Sequence, residues 1–446
     1  MREACVAAPR RLAGDCESEP FRKVCSLGAD SAVFLQTGRE NMNQAATAIP
    51  APPLPISPSA MIGAHAAVLR AQLQAISSGL FPPLSAKTLR RFTSAEVARI
   101  IGITVSRLQQ LAAEGLGPQP EVSPTGRRSY SLADIHGLRA YLDEQARAGR
   151  RYQPRRGEGD PLQVVAVANF KGGSGKTTTS AHLAQHLVLK GYRVLALDLD
   201  PQASLSALLG VQPELEVGES ETLFGAIRYD AARRPLEAII RPTYFTGLDL
   251  VPANLELMEF EHETPRALGL RRPGEPLFFD RVAQAIESVE ERYDVVVIDC
   301  PPQLGYLTLS ALCAASALLI TVHPQMLDVA SMSQFLAMTE DLLGVVAEHG
   351  GRLQYDWLRY LVTRYEQQDA PQTRIVGMLR TLFEDAVLTA PMLKSSAISD
   401  AGLSKQTLYE IGREGVTRST YDRALESLEA VNGEIEGLIR RAWGRA

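Results

Sequence analysis

The feature that most constrains this 446-residue chain is a short glycine-rich string between an apolar run and a helical one. Residues 163–170 read QVVAVANF, then come Lys171-Gly-Gly-Ser-Gly-Lys176-Thr-Thr-Thr179, and SAHLAQHLVLK continues at helical spacing. That order predicts a strand, a tight loop and a helix in direct succession. Glycines at 172, 173 and 175, with Ser174 between them, let backbone N–H groups turn inward around phosphate oxygens. The helix N-terminus behind them adds a positive dipole end. In such a loop Lys176 meets β- and γ-phosphates, the Thr177 hydroxyl coordinates Mg²⁺, and Thr178 lies beside the α-phosphate.

A loop of this kind needs a sheet to present it. From Leu162 onward RVLALDL, LDLVPA, DVVVIDC, ALLITVHP and LRYLVTRY alternate with helical segments. Short buried strands alternating with helices predict an α/β domain, a mainly parallel, doubly wound sheet with helices on both faces. Asp198 and Asp200 stand at the end of the second strand, at the carboxyl edge where α/β ligands bind, and their spacing of two puts them on one side. Four apolar residues precede Asp299, as in a buried strand delivering one carboxylate to magnesium. Cys300 reads as a small apolar filler, and His323, before Pro324 at a strand end, as structural.

The N-terminal part has a different character. Residues 87–156 hold 13 Lys/Arg against 6 Asp/Glu, a local net of +7 in a chain of net −5, so the remainder carries −12. A basic module on an acidic body points to a polyanion partner. Within it FTSAEVARIIGITVSRLQQLAAEG has an N-cap at Thr93 or Ser94, a helix to Ile101, a turn at Gly102 and a second helix from Val105 to Glu114. This is a helix-turn-helix pattern. Ser106, Arg107, Gln109 and Gln110 lie early in its second helix, where side chains reach base edges. Arg127 and Arg128 sit in a turn-rich stretch expected to form a hairpin wing, before ADIHGLRAYLDEQ resumes helical spacing.

We therefore divide the chain into a disordered tail at 1–60, a helical, possible dimerisation segment at 61–85, a winged helix-turn-helix at 86–148, a linker at 149–161 and an ATPase domain at 162–446. None of the five cysteines has a neighbour at metal-ligand spacing, and the first twenty residues lack the apolar core of a secretory signal. A cytoplasmic location is expected. The terminal helix, with Leu425, Leu428, Ile435, Leu438 and Ile439 on one face, is expected to pack on the core rather than on a membrane.

The string KGGSGKTTT, with its extra lysine Lys171, resembles the deviant Walker A signature of the ParA/MinD-type P-loop ATPases. NFKGGSGKTTTSAHLAQHL, ALDLDPQASLSALLG, ETLFGAIRYD and LDLVPANLELMEFEHETPRAL extend the likeness. GRRSY resembles the helix-turn-helix region of the RepA group, the ParA-type proteins of plasmid replication and partition operons. The resemblance implies an ATP-sandwich homodimer in which Lys171 reaches the other subunit's phosphates. It implies that Asp198 belongs to the Mg²⁺ shell, that Asp200 orients the attacking water, and that the segment of Pro324 borders the base. It also implies slow ATP hydrolysis stimulated by a ParB/RepB-like centromere-binding protein. DNA would be held nonspecifically near Arg364, Lys394 and Lys405, with Lys394 the best aligned, and the protein would sit on the nucleoid. The N-terminal module adds operator binding and autorepression. A MinD-like membrane-cycling ATPase and a regulator that only senses nucleotide are the alternatives.

Overall fold

Local capping chemistry starts each helix of the basic module where the sequence places it. The computed structural model describes residues 58–80, 87–146, 151–271, 274–351, 353–412 and 417–445. Residues 58–80 form one helix, α1 (Pro58–Leu80), which takes in residues 61–80 of the expected helical segment and 58–60 of the expected tail, while residues 81–85 lie outside the described residues. The expected tail lies, up to residue 57, outside the described residues.

In the next unit Thr93 caps α2 (Ser94–Ile101) through a reciprocal capping box with Glu96, and Gly102 at φ +80° ends it. Thr104 caps α3 (Val105–Ala113) by accepting the Arg107 N–H at 3.1 Å. Val97, Ile101, Leu108 and Leu111 pack inward between these helices. Three short antiparallel strands, β1 (Phe92–Thr93), β2 (Glu121–Val122) and β3 (Arg128–Tyr130), make the wing in the order β1-β3-β2. Helix α4 (Leu132–Glu144) follows, with Ser131 and Asp134 forming a second capping box.

The larger sheet has seven strands: β4 (Gln163–Ala168), β5 (Val194–Asp198), β6 (Arg241–Pro242), β7 (Leu248–Val251), β8 (Val295–Asp299), β9 (Ala317–Val322) and β10 (Trp357–Val362). Their order is β10-β9-β4-β8-β5-β7-β6. All pairings are parallel except β6 with β7. Every apolar run singled out in the sequence is a strand. The two-residue β6 has no apolar run to announce it, because an edge strand half open to solvent needs none. Apolar clusters lie on both faces of the sheet, which is the expected doubly wound α/β architecture.

The winged module shares its core with the sheet. Phe92, Leu108, Tyr130 and Leu138 belong to one continuous apolar cluster with Leu187, Tyr192, Leu428 and Ile439. The joint centres on Arg139 of α4, only 4% exposed. Its guanidinium donates to the carbonyls of Ile100 at 2.5 Å, Tyr152 at 2.5 Å and Leu189 at 3.0 Å. Two of these close helices, so the cation sits at two negative dipole ends, while burial pulls its pKa down to about 10. The connecting segment is anchored as well: the Gln153 N–H donates to Asp143 at 3.0 Å, and the Trp443 indole donates to the Pro161 carbonyl at 2.8 Å. The C-terminal helix, Arg418–Ala442, buries Leu428, Ile435, Leu438 and Ile439 and half-buries Leu425.

Replacing Arg139 by Met would take this donor from one buried and two part-buried carbonyls. Arg139→Met should destabilise the folded chain by about 2–4 kcal/mol, read from urea denaturation. A loss below about 0.5 kcal/mol would show that the joint does not depend on this cation.

Candidate nucleotide and DNA sites

The glycine-rich loop is built between β4 and α5 (Lys176–Lys190). Gly173 and Gly175 have φ of +77° and +89°, which no β-carbon tolerates well, and Gly175 occupies the N-cap of α5. The loop is held from beneath by the neighbouring strands. Ser174 is buried: its hydroxyl accepts from Thr321 of β9 at 2.9 Å, and its carbonyl accepts from Thr363 at 2.6 Å. The Asn169 amide donates to the Thr321 carbonyl, and its oxygen accepts the Lys171 N–H at 2.8 Å. Thr177 and Thr178 are half-buried in the first turn of α5, and Gly172 is exposed.

Lys176 is 6% exposed, and its ammonium rests 3.3 Å from the Lys171 carbonyl. Burial lowers its pKa. Lys171 itself pairs with Asp328 at 2.6 Å, and Asp328 also lies 3.6 Å from His323. Pro324 is buried at the end of β9, beside this cluster.

Parallel pairing of β5 with β8 sets Asp198 directly opposite Asp299. Both are fully buried. Asp198 accepts from the Ser206 N–H at 2.8 Å, the Ser206 hydroxyl at 2.7 Å and the Asp200 N–H at 3.2 Å. Asp299 accepts from Ser180 at 3.1 Å and from Thr177, while its Oδ2 is buried with no hydrogen-bond partner among the described residues. Both pKa values are raised. For Asp198 the causes are burial and then the neighbouring Asp299; for Asp299 burial dominates. A divalent cation fits these residues, since it would add to the single positive charge of Lys176 beside two buried carboxylates and engage the orphaned oxygen. Asp200 accepts the Gln202 N–H at 2.9 Å through Oδ1, and no bond to its Oδ2 is present among the described residues. It is close enough to Asp299 to act on that carboxylate's charge.

Far from this edge, α3 exposes Ser106, Arg107, Gln109 and Gln110 while burying Leu108 and Leu111. Arg107 donates to Gln110 at 3.0 Å, and Gln110 donates to Glu114 at 2.8 Å. Arg127 is exposed at the wing turn and Arg128 half-buried on β3. Lys394 is exposed and paired with Glu366 at 2.8 Å. Asn169, Ser180, Ser206 and Asp328 are contributors that sequence reasoning missed. A small polar residue in an apolar helix or strand end carries no local signal of the distant group it serves.

The fold and this edge define a class: a P-loop nucleotide-binding protein with a winged helix-turn-helix attached. Comparison with known proteins agrees. An AAA domain model matches residues 162–346, and a MerR HTH family regulatory protein model matches residues 92–142. A Rhizobium rhizogenes protein bearing the name replication protein A is 56% identical over 90% of this chain and 99% of its own. Protein SopA of Escherichia coli is 30% identical over 81% of this chain and 92% of its own. Among solved structures, one described as a partition protein shares the fold, with TM-score 0.59 and 19% identity, over 85% of this chain and 98% of that one. The chain belongs to the ParA-type family of P-loop ATPases, in its RepA group.

The paired carboxylates give a pH signature. In the metal-free protein their folded pKa values lie above the ordinary 3.8, so the folded state holds protons that the unfolded state has released. Their contribution to stability is full below about pH 4 and is lost as pH rises through the folded pKa values. In EDTA, Asp299→Asn should therefore melt above the parent at pH 8 and match it near pH 4. An unchanged difference across that range would contradict the reading.

Proposed function

We propose that the protein is a plasmid-partition ATPase that dimerises on ATP, binds DNA in two ways and represses its own operon. The observation that carries the nucleotide half is the pair of carboxylates, Asp198 and Asp299, brought together beside a glycine-rich loop and a buried lysine. Bound Mg²⁺ would supply positive charge that offsets the negative charge developing on the phosphates during transfer. Amides of Gly172, Gly173, Ser174 and Gly175 cradle the phosphates of ATP, and the Lys176 ammonium turns from the Lys171 carbonyl to the β- and γ-oxygens. Thr177 and Asp299 would hold the metal, and Asp198, whose oxygens are engaged by Ser206 and Asp200, would complete its shell. Asp200 uses its free oxygen to orient the attacking water.

In the dimer Lys171 leaves Asp328 for the phosphates bound to the other subunit. Turnover is slow and is accelerated by a ParB/RepB-like centromere-binding protein. Operator recognition falls to Ser106, Arg107, Gln109 and Gln110, with Arg127 and Arg128 on the flanking backbone. Lys394 adds sequence-independent contact that holds the protein on the nucleoid. The boundaries we propose are a DNA-binding domain at 86–148 and an ATPase domain at 162–446. Against a membrane-cycling role, the apolar face of the C-terminal helix is buried against the core.

Two experiments divide these claims. Asp200→Ala should bind ATP and Mg²⁺ with near-parental affinity, lose about 10²-fold or more in hydrolysis and persist as a dimer in light scattering. Parental turnover would remove Asp200 from the mechanism. Arg107→Ala should weaken protection of the DNA upstream of its own coding sequence by about 1–3 kcal/mol while leaving ATP hydrolysis intact. A parental footprint would dismiss α3 as the recognition helix.

A further inference from the structure

The cations around the glycine-rich loop fall into two groups. Lys171 pairs with Asp328 at 2.6 Å and Lys394 with Glu366 at 2.8 Å. Lys176 and Arg364 have no carboxylate at ion-pair distance among the described residues. Each rests instead on a carbonyl of the same loop: Lys176 on Lys171 at 3.3 Å and Arg364 on Gly173 at 3.2 Å. Arg364 thus shares the electrostatic situation of the loop's own phosphate lysine. Of its five N–H donors only one is used among the described residues, on a neutral oxygen.

Its backbone is also unusual. Arg364 follows β10 with φ +52°, a left-handed conformation that side chains with a β-carbon seldom adopt. The residue before it, Thr363, donates to the Ser174 carbonyl at 2.6 Å and is fully buried. The strained residue is therefore clamped next to the loop, and its guanidinium is brought back over Gly173. Backbone held in a sparsely populated region marks a position where the surroundings enforce a placement. Around it, burial and then the Arg364 charge hold His323 below its ordinary pKa. This concentration of positive charge is unfavourable until a polyanion enters it.

We propose that Arg364 is a nucleotide-binding residue whose guanidinium moves from the Gly173 carbonyl onto the phosphate chain of bound ATP or ADP. A guanidinium and a phosphate form paired, bidentate hydrogen bonds between opposite charges, whereas the contact with Gly173 that they replace is one bond to a neutral oxygen. This separates Arg364 from Lys394, whose charge is already neutralised by Glu366.

Arg364→Asn tests the assignment, because asparagine accepts left-handed backbone and removes only the charge and the fork. Binding of ATP, ADP and AMP with Mg²⁺ would be measured by calorimetry on the full chain, beside Arg364→Lys. Arg364→Asn should weaken ATP and ADP by about 10-fold, leave AMP within about twofold and melt at the parental temperature without nucleotide; Arg364→Lys should recover part of the loss. ATP affinity within twofold of the parent would overturn the proposal. So would an equal loss for AMP, which would place the contact on base or sugar. Retained ATP affinity with weaker capture of random-sequence DNA would make Arg364 a DNA contact instead.

Discussion

Everything in this molecule hangs on the burial of α5. Twelve of its fifteen residues are buried, so it is less a surface helix than the axle of the domain. Its N-terminus supplies the positive dipole end behind the phosphate loop. Its last turn, about 20 Å away along the axis, is where the winged module docks. His136 meets the Val188 carbonyl at 3.0 Å and Arg139 meets the Leu189 carbonyl at 3.0 Å. The same helix faces the C-terminal helix, where Asn432 donates to the His182 carbonyl at 3.3 Å. One rigid element thus gives the nucleotide site, the DNA-reading module and the chain's last helix a common support.

Burial on this scale has an electrostatic cost that the structure meets with polar networks. His182 is wholly enclosed, with one ring nitrogen on the Thr178 carbonyl at 2.7 Å and the other accepting the Leu408 N–H at 3.3 Å, so it stays neutral. Lys87, at the very start of the basic module, is sunk against Glu410 at 2.7 Å, beside Tyr244. These buried pairs are poor sources of stability, yet leaving either partner alone is strongly unfavourable. They consequently specify where the winged module docks more than how tightly. The adjacent carboxylates at 198 and 299 are the exception, since two acidic groups are buried side by side and neither has a cation at ion-pair distance among the described residues. That imbalance is where chemistry is placed.

How far this was legible depended on whether the signal was local. Thr93 with Glu96, Gly102 as a helix stop and the six apolar strand runs act within a few residues of themselves, and each appears where the sequence puts it. The phosphate loop was legible for the same reason: glycine spacing and a lysine define it without help from elsewhere. Asp328 was not legible as the partner of Lys171, nor Ser180 as a donor to Asp299, because each pair is joined only by strand order. The segment at 149–161 reads as a linker by composition. Its anchoring by Asp143 and Trp443 comes from residues outside it.

The sequence by itself determined the elements, the phosphate loop, the two acidic strand ends and the presence of a basic helix-turn-helix, since each rests on propensity or spacing that short-range physics enforces. Tertiary structure alone decided that Asp198 faces Asp299, that Arg364 lies over Gly173 and that the winged module is bolted to the rear of α5. Those outcomes depend on which strands become neighbours and which helix ends are buried together. Such choices minimise the free energy of the whole chain and leave no mark on any one stretch of it.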